Sequence, residues 1–418
     1  MNFARKILKY IFYIALIFTV LIFSSIIYLE NSLSKDYKIK RGDSLEINSV
    51  IPLSATFQGS ELSGKSITNN IGDKFNVDLS IMGIIPFSTV SVEVVDELHV
   101  AVLGTPFGMK IYTDGVLIIN ITDVQTSNGK LNPAQTAGLK KGDYIISANN
   151  TRIYTNEDLA QVVENSNGEN IKFVIKRNGK QMTLTACPAL CYETQKYKLG
   201  IWIKDSSAGI GTLTFYSPVT DIICGLGHGI CDEDTGKILS IDHGEIVSAE
   251  IISIKKGAIG APGQLNGRFT TNSIGKIVNN TEGGVYSEYK GNMNLPRLTE
   301  IALKQEVKNG KAEILCTVDG DTPKLYQCEI SLRSSAFLSK TQNLIVTVTD
   351  EELLNKTGGI VQGMSGAPIL QNGKLVGAVT HVLVDDSTKG YGIFAENMLE
   401  TAQSVGDGAS TSRLKEAS

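Results

Sequence analysis

Cysteine is scarce in this chain: six in 418 residues, too few for a disulfide scaffold. They fall in sequence-close pairs, Cys187/Cys191, Cys224/Cys231 and Cys316/Cys328, and none has C-x-x-C spacing. Of disulfide, free thiol and metal site, zinc is therefore the least favoured. H-E-x-x-H is missing, which disfavours a zinc metallopeptidase, and no P-loop or strand-to-helix G-x-G-x-x-G occurs. Neither a metal nor a cofactor is expected. Positive charge is not in excess: the formal net charge is -4, which leaves no electrostatic footprint for nucleic acid. Proline is sparse, 10 residues against 41 glycines, and Val, Ile and Thr are frequent, which favours a β-rich fold with many turns. No internal repeat is evident.

What is present is punctuated. A 42% hydrophobic content over this length can bury two or more cores, in two or three domains. Arg5, Lys6 and Lys9 precede an uncharged run from Tyr10 to Leu29, long enough to cross a bilayer as a helix. Residues 1–30 therefore read as an uncleaved membrane anchor, with the basic flank cytoplasmic and the rest outside. A cleaved signal peptide is the rival, but bulky Ile26-Ile27-Tyr28-Leu29 follows the small pair Ser24-Ser25. Residues 31–97 read as a polar spacer with short β segments, among them V-S-V-E-V, whose alternation predicts a half-buried strand. His99 reads as a structural histidine. Residues 401–418 are small and polar and are expected to be disordered.

Residues 98–187 carry N-P-A-Q-T-A-G-L-K-K-G-D-Y-I-I-S-A-N-N, then a helix over 155–164 and a strand over 171–176. This order resembles a PDZ domain. The resemblance implies capture of an extended peptide as an added strand, with the loop Pro106-Phe107-Gly108-Met109 offering N–H groups to a terminal carboxylate.

The chemistry is expected in the β-rich segment 188–400. Ser365 stands in G-G-I-V-Q-G-M-S-G-A-P-I-L, where glycines permit a tight turn that exposes a hydroxyl. The amides of Gly363 and Ser365 are the candidate oxyanion donors. His228 lies between glycines in C-G-L-G-H-G-I-C, exposed and positioned rather than packed. His228 precedes Ser365 with acidic residues between, the chain order of chymotrypsin-like triads. G-M-S-G-A-P is similar to the G-D-S-G-G-P of that class.

Over nearly its whole length the chain resembles the stage IV sporulation protein B peptidases of endospore formers. The resemblance rests on the N-terminal apolar segment, a PDZ module ahead of the catalytic one, G-L-G-H-G-I, V-T-D, G-G-I-V-Q-G-M-S-G-A-P and V-T-H-V-L-V-D-D-S-T-K-G-Y-G-I-F. It implies a mainly β protein with a transmembrane helix, a PDZ domain and a chymotrypsin-like double β-barrel. It also implies a catalytic set of His228, Asp350 and Ser365; Asp242 and Asp319 remain alternatives for the acid. Its members act as signalling proteases in the space between the forespore membranes. There they cleave themselves and a membrane-bound regulator of an intramembrane protease, which triggers pro-sigma-K processing. Two other readings compete: a Ser/Lys peptidase of the carboxy-terminal-processing kind using Lys389, and a non-catalytic PDZ adaptor with a protease-like domain. His381, in T-H-V-L-V, reads as a cleft wall or core residue rather than the base.

Overall fold

The computed structural model describes residues 10–416 apart from 15, 21, 22, 25, 28, 30–32, 34, 46, 48–50, 58, 59, 62–69, 233–235, 259, 292 and 334–340. The expected anchor, Tyr10 to Leu29, therefore falls partly outside the described residues; its described positions 10–14 and 16–20 are helical. No helix among the described residues is long and apolar enough to cross a membrane.

Strands β1 (Asp36–Lys40), β2 (Leu53–Phe57), β3 (Ser60–Glu61), β4 (Lys74–Ile81) and β5 (Ile85–Val95) form one sheet, ordered β1-β5-β4-β2-β3. The alternation expected in V-S-V-E-V is present: Val90, Val92 and Val94 point into a core shared with Tyr37, Ile39, Val77 and Leu79. Residues 36–95 are thus more than a spacer. A run of period-2 strands has a face to bury, and here they bury it against one another.

Next comes the short β6 (His99–Val102), followed by β7 (Pro106–Ile121), a strand of 16 residues that passes through two units. Its first part belongs to a barrel and its second part to the module expected from A-G-L-K-K-G-D. Gly115 marks the passage, at φ +90; a Cβ there would lie 2.3 Å from the Ile145 carbonyl oxygen. The module continues with β8 (Val124–Thr126), β9 (Gly129–Leu131), helix α1 (Pro133–Thr136), β10 (Tyr144–Ala148), β11 (Thr151–Arg152) and α2 (Asn156–Asn165). It ends with β12 (Ile171–Arg177), β13 (Lys180–Ala186), β14 (Ala189–Leu190) and β15 (Tyr197–Lys198). The helix α2 begins at a capping box formed by Thr155 and Asp158. The acid of A-G-L-K-K-G-D is structural. Asp143, 1% exposed, takes a two-pronged ion pair from Arg177, with Nε and a terminal nitrogen each at 2.7 Å.

The chain returns through β16 (Ile201–Ser217), whose start pairs with the module half of β7 and whose middle pairs with the barrel half. Then follow β17 (Ile222–Gly225), β18 (Ile241–Lys255), β19 (Gln264–Thr281) and β20 (Gly284–Tyr289). The ladders β7-β18, β18-β19, β19-β20, β20-β17, β17-β16 and β16-β7 close a ring. The module is therefore inserted into this ring between β7 and β16. That corrects the expected division at residues 187 and 188: residues 106–113 belong to a barrel strand, and the module's closing strand lies beyond 187. Sequence order cannot reveal a strand pair that encloses an insertion.

β21 (Leu298–Glu300) pairs with β6. Strands β22 (Gly310–Cys316), β23 (Lys324–Leu332), β24 (Leu344–Val348), β25 (Pro368–Gln371), β26 (Lys374–Leu383) and β27 (Asp386–Phe394) close a six-stranded barrel ordered β22-β23-β24-β27-β26-β25. Alternation is plain in K-L-Y-Q-C-E-I-S-L, where Tyr326, Cys328 and Ile330 point inward. Helix α3 (Glu351–Thr357) bridges β24 and β25. All six cysteines are free, so none of the sequence-close pairs is a disulfide.

The last helix, α4 (Ala395–Glu416), overturns the expected disorder of 401–418 as far as residue 416. Ala395, Met398, Leu399 and Ala402 repeat at helical spacing and are buried against Phe215, Cys224 and Tyr286. The N-terminal sheet docks beside this helix. Lys38 binds Glu400 at 2.6 Å, and Lys40, 5% exposed, binds Glu300 and Glu306.

Arg177→Ala would leave the Asp143 carboxylate buried with its main counter-charge gone. The expected cost is about 3 kcal/mol, read by urea denaturation.

Candidate active site

Ser365 sits on the turn between α3 and β25. Gly363 and Gly366 hold φ values of +98 and +92, and a Cβ on Gly366 would lie 2.0 Å from the Thr212 carbonyl oxygen. Only glycine permits that approach. The turn is seated against strands of both barrels. Thr212 N donates to Ser365 O at 2.9 Å, and Gly366 N donates to Val379 O at 2.7 Å.

Two amides of the turn point away from these anchors. In a trans peptide the N–H lies opposite the carbonyl of the same plane. The Gln362 carbonyl accepts from Leu265 N at 2.8 Å, and the Met364 carbonyl accepts from Ala367 N at 2.9 Å. The N–H groups of Gly363 and Ser365 are thereby turned the other way. Among the described residues neither donates to a backbone carbonyl. Two N–H groups left without a backbone acceptor beside a serine hydroxyl are donors that an oxyanion could use.

The serine hydroxyl is half-buried and donates to the Thr380 carbonyl at 2.6 Å. Thr380 and His381 lie where the β26-β27 register slips between Val379 and Val382, so these two residues stand opposite one. Bulges re-aim side chains. Here the bulge sets the His381 ring 4.4 Å from the His228 ring, at 33°.

His228 arrives from the other barrel on the turn after β17. Leu226 and Gly227 both take positive φ there, 68° and 67°, which folds the chain back toward Thr380. His228 Nδ1 lies 2.9 Å from the Gly229 carbonyl oxygen. A carbonyl only accepts, so Nδ1 carries the proton and Nε2 keeps the lone pair of a base. Burial lowers the pKa of His228, against a smaller upward pull from that carbonyl. His381 is pushed down to about 4, first by burial and then by neighbouring His228. Both rings are neutral near pH 7.

Asp350 does not join this pair. It is the N-cap of α3: Oδ1 accepts from Leu353 N at 3.0 Å and Oδ2 from Gln327 N at 3.2 Å. An aspartate directly before a helix is drawn to the unpaired N–H groups of the first turn. That capping corrects its expected place beside His228. Asp242 is paired with His243 at 2.8 Å, and Asp319 is exposed. Among the described residues no carboxylate is bonded to His228, whose orientation comes from the Gly229 carbonyl. Lys389 is paired with Asp386 at 2.9 Å on a half-buried strand position and is not bonded to Ser365. His99 is exposed and lies 3.8 Å from Glu97. Among the described residues no group of three or more His, Cys, Asp or Glu could hold a metal ion.

The peptide-binding loop expected at Pro106-Phe107-Gly108-Met109 is also corrected. These residues are buried barrel strand, paired on one side with residues 209–212 and, from Phe107 to Met109, on the other with residues 246–248. Their amides therefore belong to ladders. The inserted module has its groove elsewhere, between α2 and the start of β16. It encloses about 510 Å³ and is lined by Leu159 and Val163 of the helix and by Leu199, Ile201 and Trp202 of the strand. The signal for it is K-L-G-I-W-I at 198–203, where Gly200 takes φ +75 and a Cβ would lie 2.2 Å from the Thr122 oxygen. It lies beyond the expected end of the module, which is why sequence order hid it.

Asp350→Ala is expected to lower stability by about 1 kcal/mol, and Asp350→Asn to keep the cap, both read by thermal denaturation.

Comparison with known proteins finds two family matches. Residues 195–399 match the SpoIVB peptidase S55 family, and residues 132–177 match the PDZ domain family. The chain is 29% identical over 157 residues to the probable protease eep of Enterococcus faecalis, covering 37% of this chain and 31% of that protein. It is 31% identical over 101 residues to a putative zinc metalloprotease of Clostridium acetobutylicum, covering 24% and 28%. The chain thus spans about a third of the length of these curated relatives. Among solved structures, the inactive form of the Rv3671c protease matches with a TM-score of 0.27 and 13% identity, over 47% of this chain and 85% of that one. His228 and Ser365 thus both lie inside a segment of the SpoIVB peptidase S55 family, a serine peptidase family, and a PDZ domain precedes them in the chain.

Proposed function

We propose that Ser365 and His228 are the nucleophile and general base of an endopeptidase. Two barrels of the chymotrypsin-like kind would meet at this cleft. One observation carries the reading: His228, with its Nε2 lone pair, and the Ser365 turn, with two unspent amides, converge from different barrels around Thr380 and His381. In the resting arrangement the serine proton is held by the Thr380 carbonyl. For catalysis the hydroxyl turns from that carbonyl and passes its proton to Nε2. Oγ then attacks the scissile carbonyl carbon while the Gly363 and Ser365 N–H groups hold the oxyanion. The imidazolium passes its proton to the leaving nitrogen as the C–N bond breaks, and water deprotonated by His228 hydrolyses the acyl-enzyme. A neutral His381 beside the ring adds no charge to oppose the imidazolium.

The groove beside β16 is the place where an extended peptide would add as a strand. The substrates are proteins, and the finer identity follows the family: the chain itself, in trans, and a membrane-bound regulator of an intramembrane protease. We assign the working location to the extracytoplasmic face of a membrane, between the forespore membranes, with residues 1–30 as the anchor. The basic flank and apolar run of that segment support this assignment.

The test uses the Ser365→Ala chain as substrate for fresh enzyme. Wild type is expected to cut it. Enzyme carrying Ser365→Ala or His228→Ala should be slower by at least about 1,000-fold, while Lys389→Ala retains activity. Loss in the lysine variant alone would instead support the Ser/Lys reading, and equal fragmentation by all would support a non-catalytic adaptor.

The pH dependence has a definite sign. The base works neutral, and burial places its pKa below the ordinary 6.5. Activity is therefore present above that lowered value and lost as pH falls through it. A profile of kcat/KM against pH is expected to reach half its plateau at a pH below 6.5.

A further inference from the structure

We infer that Thr212, with Thr214 beside it, is a positioning residue for the oxyanion turn; the inference rests on Ser365 being the nucleophile. Both hydroxyls are almost fully buried, at 1% and 0% exposure, and neither touches the place where a substrate would sit. Thr212 Oγ1 donates to Gly363 O at 2.8 Å, and Thr214 Oγ1 donates to Gly366 O at 2.7 Å. These two carbonyls lie in a turn, where no ladder partner reaches them, and a buried carbonyl without a donor is costly.

Their placement within the turn matters more than their number. The two open N–H groups belong to the peptide planes 362–363 and 364–365. The plane between them, 363–364, is held at its oxygen by the Thr212 hydroxyl and at its nitrogen by Val361 O, 3.1 Å away. The next plane, 365–366, is held at its oxygen by Thr212 N and at its nitrogen by Val379 O. Thr212 thus fixes the planes on both sides of the Ser365 amide, through its side chain and its backbone. Glycines at 363 and 366 impose little preference of their own. Without the hydroxyl, plane 363–364 can turn about the flanking bonds, and the two oxyanion donors lose their common aim. Valine at 212 keeps the shape and deletes only the donor; serine keeps the donor.

The readout is the rate at which a fluorophosphonate probe labels Ser365. It needs no knowledge of the natural substrate and depends on the oxyanion donors. Rates are compared per folded molecule, with the folded fraction taken from circular dichroism. Thr212→Val is expected to slow labelling by about 10- to 100-fold, less than the loss of a direct oxyanion donor. Thr214→Val should have a smaller effect, and Thr212→Ser should stay within about threefold of wild type. With the Ser365→Ala chain as substrate, Thr212→Val should lower kcat and leave KM within about twofold, because the donors act on the transition state. Labelling at the wild-type rate by folded Thr212→Val would overturn the inference, as would failure of Thr212→Ser to restore the rate. Absence of labelling in wild type, or labelling that survives Ser365→Ala, would instead overturn the assignment of Ser365.

Discussion

The pairing of β7 with β16 is the constraint on which the rest of the molecule depends. These two long strands close the first barrel over residues 106–112 and 206–212. They then run on together as the base of the PDZ module, over residues 117–121 and 201–204. The far part of β16 supplies Thr212 and Thr214 to the serine turn of the second barrel. One ladder therefore joins the groove of the PDZ module, a barrel wall and the support of the proposed nucleophile. A register slip of one residue would turn every side chain to the opposite face, exposing Phe107 and withdrawing the threonine hydroxyls together.

Around the site, polarity is arranged by what is already satisfied. The Gln362 and Met364 carbonyls are tied inward, so the trans geometry of the peptide directs the Gly363 and Ser365 N–H groups outward. The Gly229 carbonyl claims Nδ1 of His228 and leaves Nε2 basic. Burial lowers the pKa of His228, while desolvation and the neighbouring His228 lower that of His381 at the more open side, which would suit His228 as the proposed base. The orienting role that a carboxylate has in many triads is taken in this arrangement by a backbone oxygen, while Asp350 steadies a helix end.

The N-terminal sheet is attached by charge more than by apolar contact. Lys40 and Lys374 share Glu300 and Glu306, while Lys38 reaches Glu396 and Glu400. Ion pairs of this kind recover little net energy once desolvation is counted, but they set orientation strictly. They place the sheet over α4, whose buried face packs on strands of both barrels.

Much of this was legible in the residues themselves. Alternating strands announced a β protein, A-G-L-K-K-G-D marked the inserted module, and glycine framing marked Ser365 and His228, because those features are local chemistry. The groove at 198–203, the capping role of Asp350 and the burial of Pro106-Phe107-Gly108-Met109 were not legible, because each depends on which distant strand or helix stands alongside. The same holds for the part of α4 from residue 401 on: its residues are polar and small in sequence, and only the barrel surface made Ala402 part of a core. The sequence by itself determined the residue types and turns that the chemistry requires. Tertiary structure alone decided which carbonyls, hydroxyls and rings face them, since partners hundreds of residues apart are chosen by packing and register rather than by local preference.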